Sequence, residues 1–270
     1  MSRLPTYYVS HGGGPWPWMR EQNGSRYAVL EASLQAMAKE TEGQVHAILM
    51  VTAHWETPAF ALSSSPQPGM IYDYHGFPAH TYQIHYRAPG SPGLAQRALS
   101  LLQAGGVEAS LDPERGFDHG TFSALQAAYP EARIPVVQLS IRADFDPAAH
   151  IAAGRLLAPL RDEGILIIGS GLSYHNLRMF GPAGRAPSHA FDAWLQHALT
   201  VADPDERDAL LLEWESAPSA RVAHAREDHL IPLMVAVGAA HEEQGSCVYH
   251  EDDFFGSLAA SSFRFGPVNG

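Results

Sequence analysis

The 270 residues carry 29 acidic against 17 basic side chains, a net charge of −12, with 46% hydrophobic and 10% aromatic residues. That charge excludes a nucleic-acid partner and an anionic membrane surface, since both need a basic face. The length and composition are those of one globular domain, expected to span 1–270. A single cysteine, Cys247, excludes an intramolecular disulfide and a thiolate metal cluster. No apolar run is long enough to span a bilayer and none follows Met1, so a cytoplasmic protein is expected. The surplus is histidine, 15 of them against 17 Lys and Arg together. It points to imidazole ligands and acid–base groups, and with so few thiols any transition metal would have N/O donors, as iron, zinc or manganese accept.

The chain opens on an aromatic and β-branched run, Tyr7-Tyr8-Val9-Ser10, that reads as a strand and delivers His11 into Gly12-Gly13-Gly14. Glycines there let the backbone turn sharply against whatever His11 touches. Pro15-Trp16-Pro17-Trp18 then forms a rigid apolar loop, either a lid over the sheet edge or one wall of a pocket for a flat substrate. Helical spacing of Val29, Leu30, Leu34 and Met37 predicts a helix over 27–39, stopped at Gly43. A buried strand over 47–53 ends at His54 and completes a βαβ unit. Residues 57–69 read as a Ser/Pro-rich loop. Tyr72-Asp73-Tyr74-His75-Gly76-Phe77 follows as an aromatic loop segment, and the alternation of 82–86 predicts a strand.

A helix over 91–105 and a strand over 107–111 lead to Asp118-His119-Gly120-Thr121, where Asp118 or Thr121 caps the next helix. The strand at 134–141 is followed by a helix over 147–163 with Pro147 in its first turn. The strand at 165–168 runs into Gly169-Ser170-Gly171-Leu172-Ser173-Tyr174-His175, a second glycine turn presenting a histidine. Neither glycine turn has the lysine and spacing of a phosphate loop. Helices are predicted over 190–202 and 204–215, the latter capped by Asp203. His229, between Glu227-Asp228 and an apolar run, begins a third that ends at Gly238. Strands at 246–249 and 262–265 flank a loop over 250–261. Open α/β sheets carry their sites at the carboxyl ends of strands, so His11, His54, His175 and His229 are candidates for one metal site.

Taken in order, Ser10-His11-Gly12-Gly13-Gly14-Pro15, Thr52-Ala53-His54-Trp55, Asp118-His119-Gly120-Thr121, the 169–176 turn with His175-Asn176, and Glu227-Asp228-His229-Leu230-Ile231-Pro232-Leu233 resemble the class III extradiol ring-cleavage dioxygenases. The chain is most similar to their 4,5-DOPA dioxygenase-like branch, and the match in order and spacing covers nearly its full length. The resemblance implies a single-domain α/β fold with a mostly parallel central sheet between helices. It implies one non-haem divalent metal, with His11, His54 and His229 as ligands and His175 beside the metal as a fourth ligand or an acid–base group. His119 is then a second acid–base histidine. Fe(II) is the implied active ion; an all-histidine site also tolerates Zn(II), which could be found in purified protein. The implied substrates are a DOPA-like catechol and O2, the ring opening beside the diol to a muconic semialdehyde-type product. Trp16, Trp18, Tyr74 and Phe77 would flank the ring.

Two features depart from the relatives. The third ligand position is a histidine where a carboxylate is common, and the start reads Ser-His-Gly-Gly-Gly rather than Gly-His-Gly-Ser. Two rival readings use the same histidines: a zinc hydrolase with Glu56 or Glu227 as general base, and a non-catalytic metal-binding protein with a closed four-ligand site. The sequence sets no oligomeric state.

Overall fold

Strand β1 (Thr6–Ser10) is buried along its whole length, as its aromatic and β-branched content favours. The computed structural model describes residues 3–267. After β1 come a single turn, α1 (Arg20–Asn23), and α2 (Ala28–Glu40), which buries Leu30, Leu34 and Met37. Then follow β2 (Ala47–Thr57), β3 (Phe60–Ser63), α3 (Pro92–Ala104) and β4 (Ala109–Asp112). The next pairs are α4 (His119–Ala128) with β5 (Val136–Arg142) and α5 (Pro147–Leu157) with β6 (Ile165–Gly171). Helices α6 (Arg185–Thr200), α7 (Pro204–Leu212), α8 (Ala220–Ala223) and α9 (Ile231–Ala240) precede a hairpin of β7 (Gly245–Phe254) and β8 (Leu258–Phe265). Side-chain caps start α3, α4, α5 and α7, from Ser91, Asp118, Asp146 and Asp203.

All eight strands form one sheet in the order β4-β3-β5-β2-β6-β1-β8-β7. The central four, β5, β2, β6 and β1, are parallel, so their carboxyl ends share one edge. β3 and β8 run antiparallel to that block on either side. The expected α/β architecture, a mostly parallel central sheet between helices, is therefore the one observed.

Strand β6 shows how the helical layers are set. Successive side chains of a strand point to opposite faces. On one face Gly169 and Gly171 leave room for the chain that enters α9: a Cβ on Gly171 would lie 2.0 Å from His229 O, and one on Gly169 2.3 Å from Pro232 O. On the other face Ser170 Oγ donates to Gly120 O of α4 at 2.6 Å. Helix α9 is buried on every side, which its uninterrupted apolar sequence allows.

Several local expectations differ from the structure. β2 does not stop at Ala53 but continues to Thr57, with its pairing to β5 shifting register between Val51 and Glu56. His54 thus sits in a ladder irregularity rather than beyond a strand end. Residues 57–69 contain β3. Residues 82–86 form no ladder: Ile84 and Tyr86 are buried and His85 exposed, so the alternation reports an extended chain packed on the core. Helix α2 ends at Glu40 and is capped by Thr41, whose Oγ1 donates back to Met37 O at 3.1 Å, with Gly43 in the turn beyond. The 250–261 loop is mostly paired strand, closed by a turn in which Phe255 and Gly256 take positive φ. Among the described residues no helix is long and apolar enough to cross a membrane.

Two fully buried histidines outside the site, His150 and His224, are expected to make the fold sensitive to acid. His150 Nδ1 donates to Asp146 O at 2.7 Å while Nε2 accepts from Arg142 N at 3.0 Å, so its neutral form is fully used. Burial holds His150 down at about 4 and His224 at about 3. The unfolded chain protonates near the ordinary imidazole value, so below about pH 6.5 it binds protons that the folded state refuses. Stability is expected to fall from about pH 6.5 to pH 4, by up to roughly 1.4 kcal/mol per pH unit and group. Denaturant midpoints at pH 7, 5.5 and 4.5 check this; His150→Asn should flatten the slope.

Candidate functional site

At the carboxyl edge of β1, β2 and β6 a cavity of about 530 Å³ opens over a cluster of histidines. His11 leaves β1, His54 lies in the β2 irregularity, His119 opens α4, His175 follows β6, and His229 sits in the turn before α9. All five line the cavity. The ring centroids of His11 lie 5.0 Å from His54, 5.2 Å from His119 and 5.1 Å from His229. His54 and His119 are 4.0 Å apart, and His175 stacks on His229 at 3.4 Å and 13°.

Three of the rings, His11, His54 and His119, have a neighbour that decides which nitrogen carries the hydrogen. Ser170 spends its hydroxyl hydrogen on Gly120 O, so it can only accept from His11 Nδ1, 3.1 Å away. The lone pair of His11 is then on Nε2. Asp73 is the shared anchor on the other side. Its Oδ1 accepts from His119 Nδ1 at 2.9 Å and from the His119 backbone N–H at 3.0 Å. Its Oδ2 lies 3.1 Å from His54 Nδ1, a close contact out of line for a hydrogen bond. A carboxylate there favours hydrogens on both Nδ1 atoms and leaves both Nε2 atoms as lone pairs. His11 Nε2 and His54 Nε2 consequently face each other 3.2 Å apart as two lone pairs. That arrangement repels unless a cation is shared, which is the fit a metal requires.

His229 is fixed through its backbone. Its carbonyl accepts from Tyr8 Oη at 2.7 Å and from Leu172 N at 3.2 Å. Its Nδ1 lies 3.2 Å from Asp228 Oδ2 but out of line for a hydrogen bond, and has no other partner. Ligating atoms of His11, His54 and His229 all lie within 4.8 Å of one another; His54, Asp73 and His119 form a second such group, and His175, Asp228 and His229 a third. This buried His/Asp cluster is able to hold a metal.

The electrostatics keep His11, His54, His175 and His229 neutral. Burial, reinforced by the neighbouring histidines, holds His11 and His229 well below the usual imidazole range. It brings His54 to about 3 and His175 to about 4. Burial works to raise Asp73, but hydrogen bonds and charge from His119, with His54, outweigh it and bring it to about 2. Burial pushes Asp228 up to about 6, against the opposing pull of Arg226. Neutral imidazoles beside an ionised Asp73 are the protonation state that metal ligation needs.

Of the aromatic residues singled out in the sequence, Trp16 and Phe77 line the cavity. Trp16 also donates Nε1–H to His11 O at 2.8 Å and stacks on Tyr27. Trp18 and Tyr74 stand behind this wall. Trp18 packs edge-on to Phe122, and Tyr74 is buried with its hydroxyl on Thr81 O. His75 is exposed and lies away from the cavity. Sequence reasoning missed Asp73, Ser170 as the His11 partner, and the far wall of Phe180, Phe254 and Phe255. The one signal for Asp73 was an acid set inside an aromatic run.

Asp73→Asn keeps the shape and removes the charge, so one of the two Nδ1 contacts must lose its acceptor. Metal affinity or turnover is expected to drop roughly ten- to a hundredfold. Metal content after dialysis and steady-state rates check this; wild-type values for both would remove Asp73 from the site.

A parallel-centred α/β sheet, with a buried histidine–aspartate cluster and an apolar cavity at its carboxyl edge, defines an enzyme of the metal-centre class. Comparison with known proteins specifies it further. Residues 5–263 match the family described as the catalytic LigB subunit of aromatic ring-opening dioxygenase. The chain is 38% identical to a 4,5-DOPA dioxygenase extradiol of Beta vulgaris, over 96% of each chain. It is 34% identical to one of Escherichia coli K12, over 98% of this chain and 96% of the other. A dioxygenase of Hapsidospora irregularis, tasH, is 35% identical over 95% of this chain and 84% of its own. The crystal structure of an uncharacterized protein of Escherichia coli K12, JW3007, superposes with a TM-score of 0.77 at 30% identity, covering 98% of this chain and 100% of the other. The chain belongs to the LigB family and is an extradiol-type aromatic ring-opening dioxygenase, an oxidoreductase that takes an aromatic substrate and O2.

Proposed function

We propose that this enzyme opens a DOPA-like catechol beside its diol, with O2, to a muconic semialdehyde-type product. The observation that supports this best is the meeting of His11, His54 and His229, three residues from distant segments with ligating nitrogens within 4.8 Å. In this reading they hold Fe(II) as the active ion, and the whole chain acts as one catalytic domain. Three neutral nitrogens also suit Zn(II), which is expected in protein purified without added iron. When bound, the ion supplies a Lewis acid for the diol oxygens and electrons for dioxygen.

The chain's own residues handle protons and position. His119, with Nδ1 committed to Asp73, presents Nε2 to take a phenolic proton, and ionised Asp73 stabilises the imidazolium that results. His175 lies flat on His229 and falls in a grouping with Asp228, so we place it beside the metal as the second proton-transfer group. Trp16 and Phe77 hold the flat ring, and Phe180, Phe254 and Phe255 keep water out.

The hydrolase reading lacks its base. Glu56 is ion-paired with Arg226 and Glu227 with Arg221, and neither carboxylate lines the cavity. The closed-site reading conflicts with the large cavity that adjoins the cluster.

The test is oxygen consumption by anaerobically Fe(II)-loaded protein given DOPA, protocatechuate and simple catechols, with absorbance followed for a yellow product. Uptake coupled to yellow colour is expected. No uptake with any catechol, in protein shown to hold the metal, overturns the reading.

A further inference from the structure

The cavity is larger than a bare catechol needs. About 530 Å³ lies in the range of sites for ligands well beyond one ring, so the diol end at the histidines leaves space for a substituent. That space also meets the end of α1 and the turn after it, where Asn23 and Arg26 line it. Arg26 is the single Lys or Arg among the cavity-lining residues. Its guanidinium sits over the Phe255 ring, Cζ 4.8 Å from the centroid, and among the described residues it makes no ion pair. Arg20, six residues earlier, is by contrast tied to Glu31 and to Pro17 O. Arg26 is thus an exposed cation without an ion-pair partner among the described residues, seated on an aromatic face beside the cavity in a protein of net charge −12, an arrangement suited to an anion.

We propose that Arg26 is a specificity-determining residue that binds a carboxylate on the side chain of the catechol. The DOPA-like catechol then lies with its ring between Trp16 and Phe77 and its side-chain carboxylate at Arg26. A planar guanidinium matches a carboxylate with two parallel hydrogen bonds. This proposal rests on the ring-opening reading for its chemistry, but its binding prediction stands apart from turnover.

The probes are 3-(3,4-dihydroxyphenyl)propanoate and its methyl ester, which differ only in that charge. Wild-type protein loaded with Fe(II) should favour the acid in kcat/KM. Arg26→Leu should lower the acid-to-ester ratio about tenfold, the size expected for a charged hydrogen bond discounted for exposure. Arg26→Lys should recover part of it. Anaerobic titrations, followed by tryptophan fluorescence, should show a similar rise in Kd for the acid, and loss of its salt dependence in Arg26→Leu. An acid-to-ester ratio and Kd within twofold of wild type in Arg26→Leu overturn the proposal. Arg26-dependent binding of the acid with no oxygen uptake by wild-type protein sinks the ring-opening reading and leaves this assignment standing.

Discussion

His54→Ala is expected to leave a folded protein that no longer retains a metal. His54 contributes a nitrogen lone pair 3.2 Å from that of His11, and its own Nδ1 is steered by Asp73. Loss of a partner that only orients a ligand costs ten- to a hundredfold in affinity, so loss of the ligand itself should weaken binding at least ~100-fold. His11→Ala should behave the same way. The apoprotein should not be destabilised much, since alanine relieves two facing lone pairs in a buried site. Metal analysis after Fe(II) loading and gel filtration, with circular dichroism alongside, measures both parts. Stoichiometric metal in both variants would refute the site.

The second large effect belongs to His119. Its ring lies 4.0 Å from that of His54, yet its Nδ1 and backbone N–H both bind Asp73, which turns Nε2 towards the cavity. His119→Ala is expected to keep the metal and to slow turnover by roughly 10² to 10⁴, the range for a positioned proton-transfer group. Single-turnover oxygen uptake separates this from a loss of binding, because substrate affinity should change far less than the chemical step. A rate within a few-fold of wild type would return His119 to a helix-opening role.

Much of this was legible in the residues. Ser10-His11 lies where a buried apolar run stops, and a strand's end is a local property of composition and glycine. Residues 169–171, read as a glycine turn, instead prolong β6 because they pair with β1. The cap at Asp203 was legible for the same reason, and Asp118 was one of two candidates for its helix; each bonds an amide three residues on. Misreadings occurred where the cause was not local. The alternation of 82–86 is real in burial but has no neighbouring strand to pair with. β2 runs past His54 because β5 stays beside it through a register shift. The hairpin of β7 and β8 turns on Phe255 at positive φ, a conformation that its residue type does not announce.

The sequence by itself determined the ingredients: an acidic α/β chain, thiol-poor and histidine-rich, with imidazoles delivered to strand ends and helix starts. Only the tertiary structure decided which imidazoles meet. Strand order places β6 between β1 and β2, and close approach at Gly171 sets the His229 backbone against that edge. Asp73 joins His54 and His119 from an irregular segment with no period to read. The far cavity wall combines the turn after α1 with the last hairpin, more than two hundred residues apart, through Arg26 over Phe255. Periodicity and capping act over a few residues and can be read along the chain. Convergence depends on register and packing between distant segments, and that information exists only once the sheet has formed.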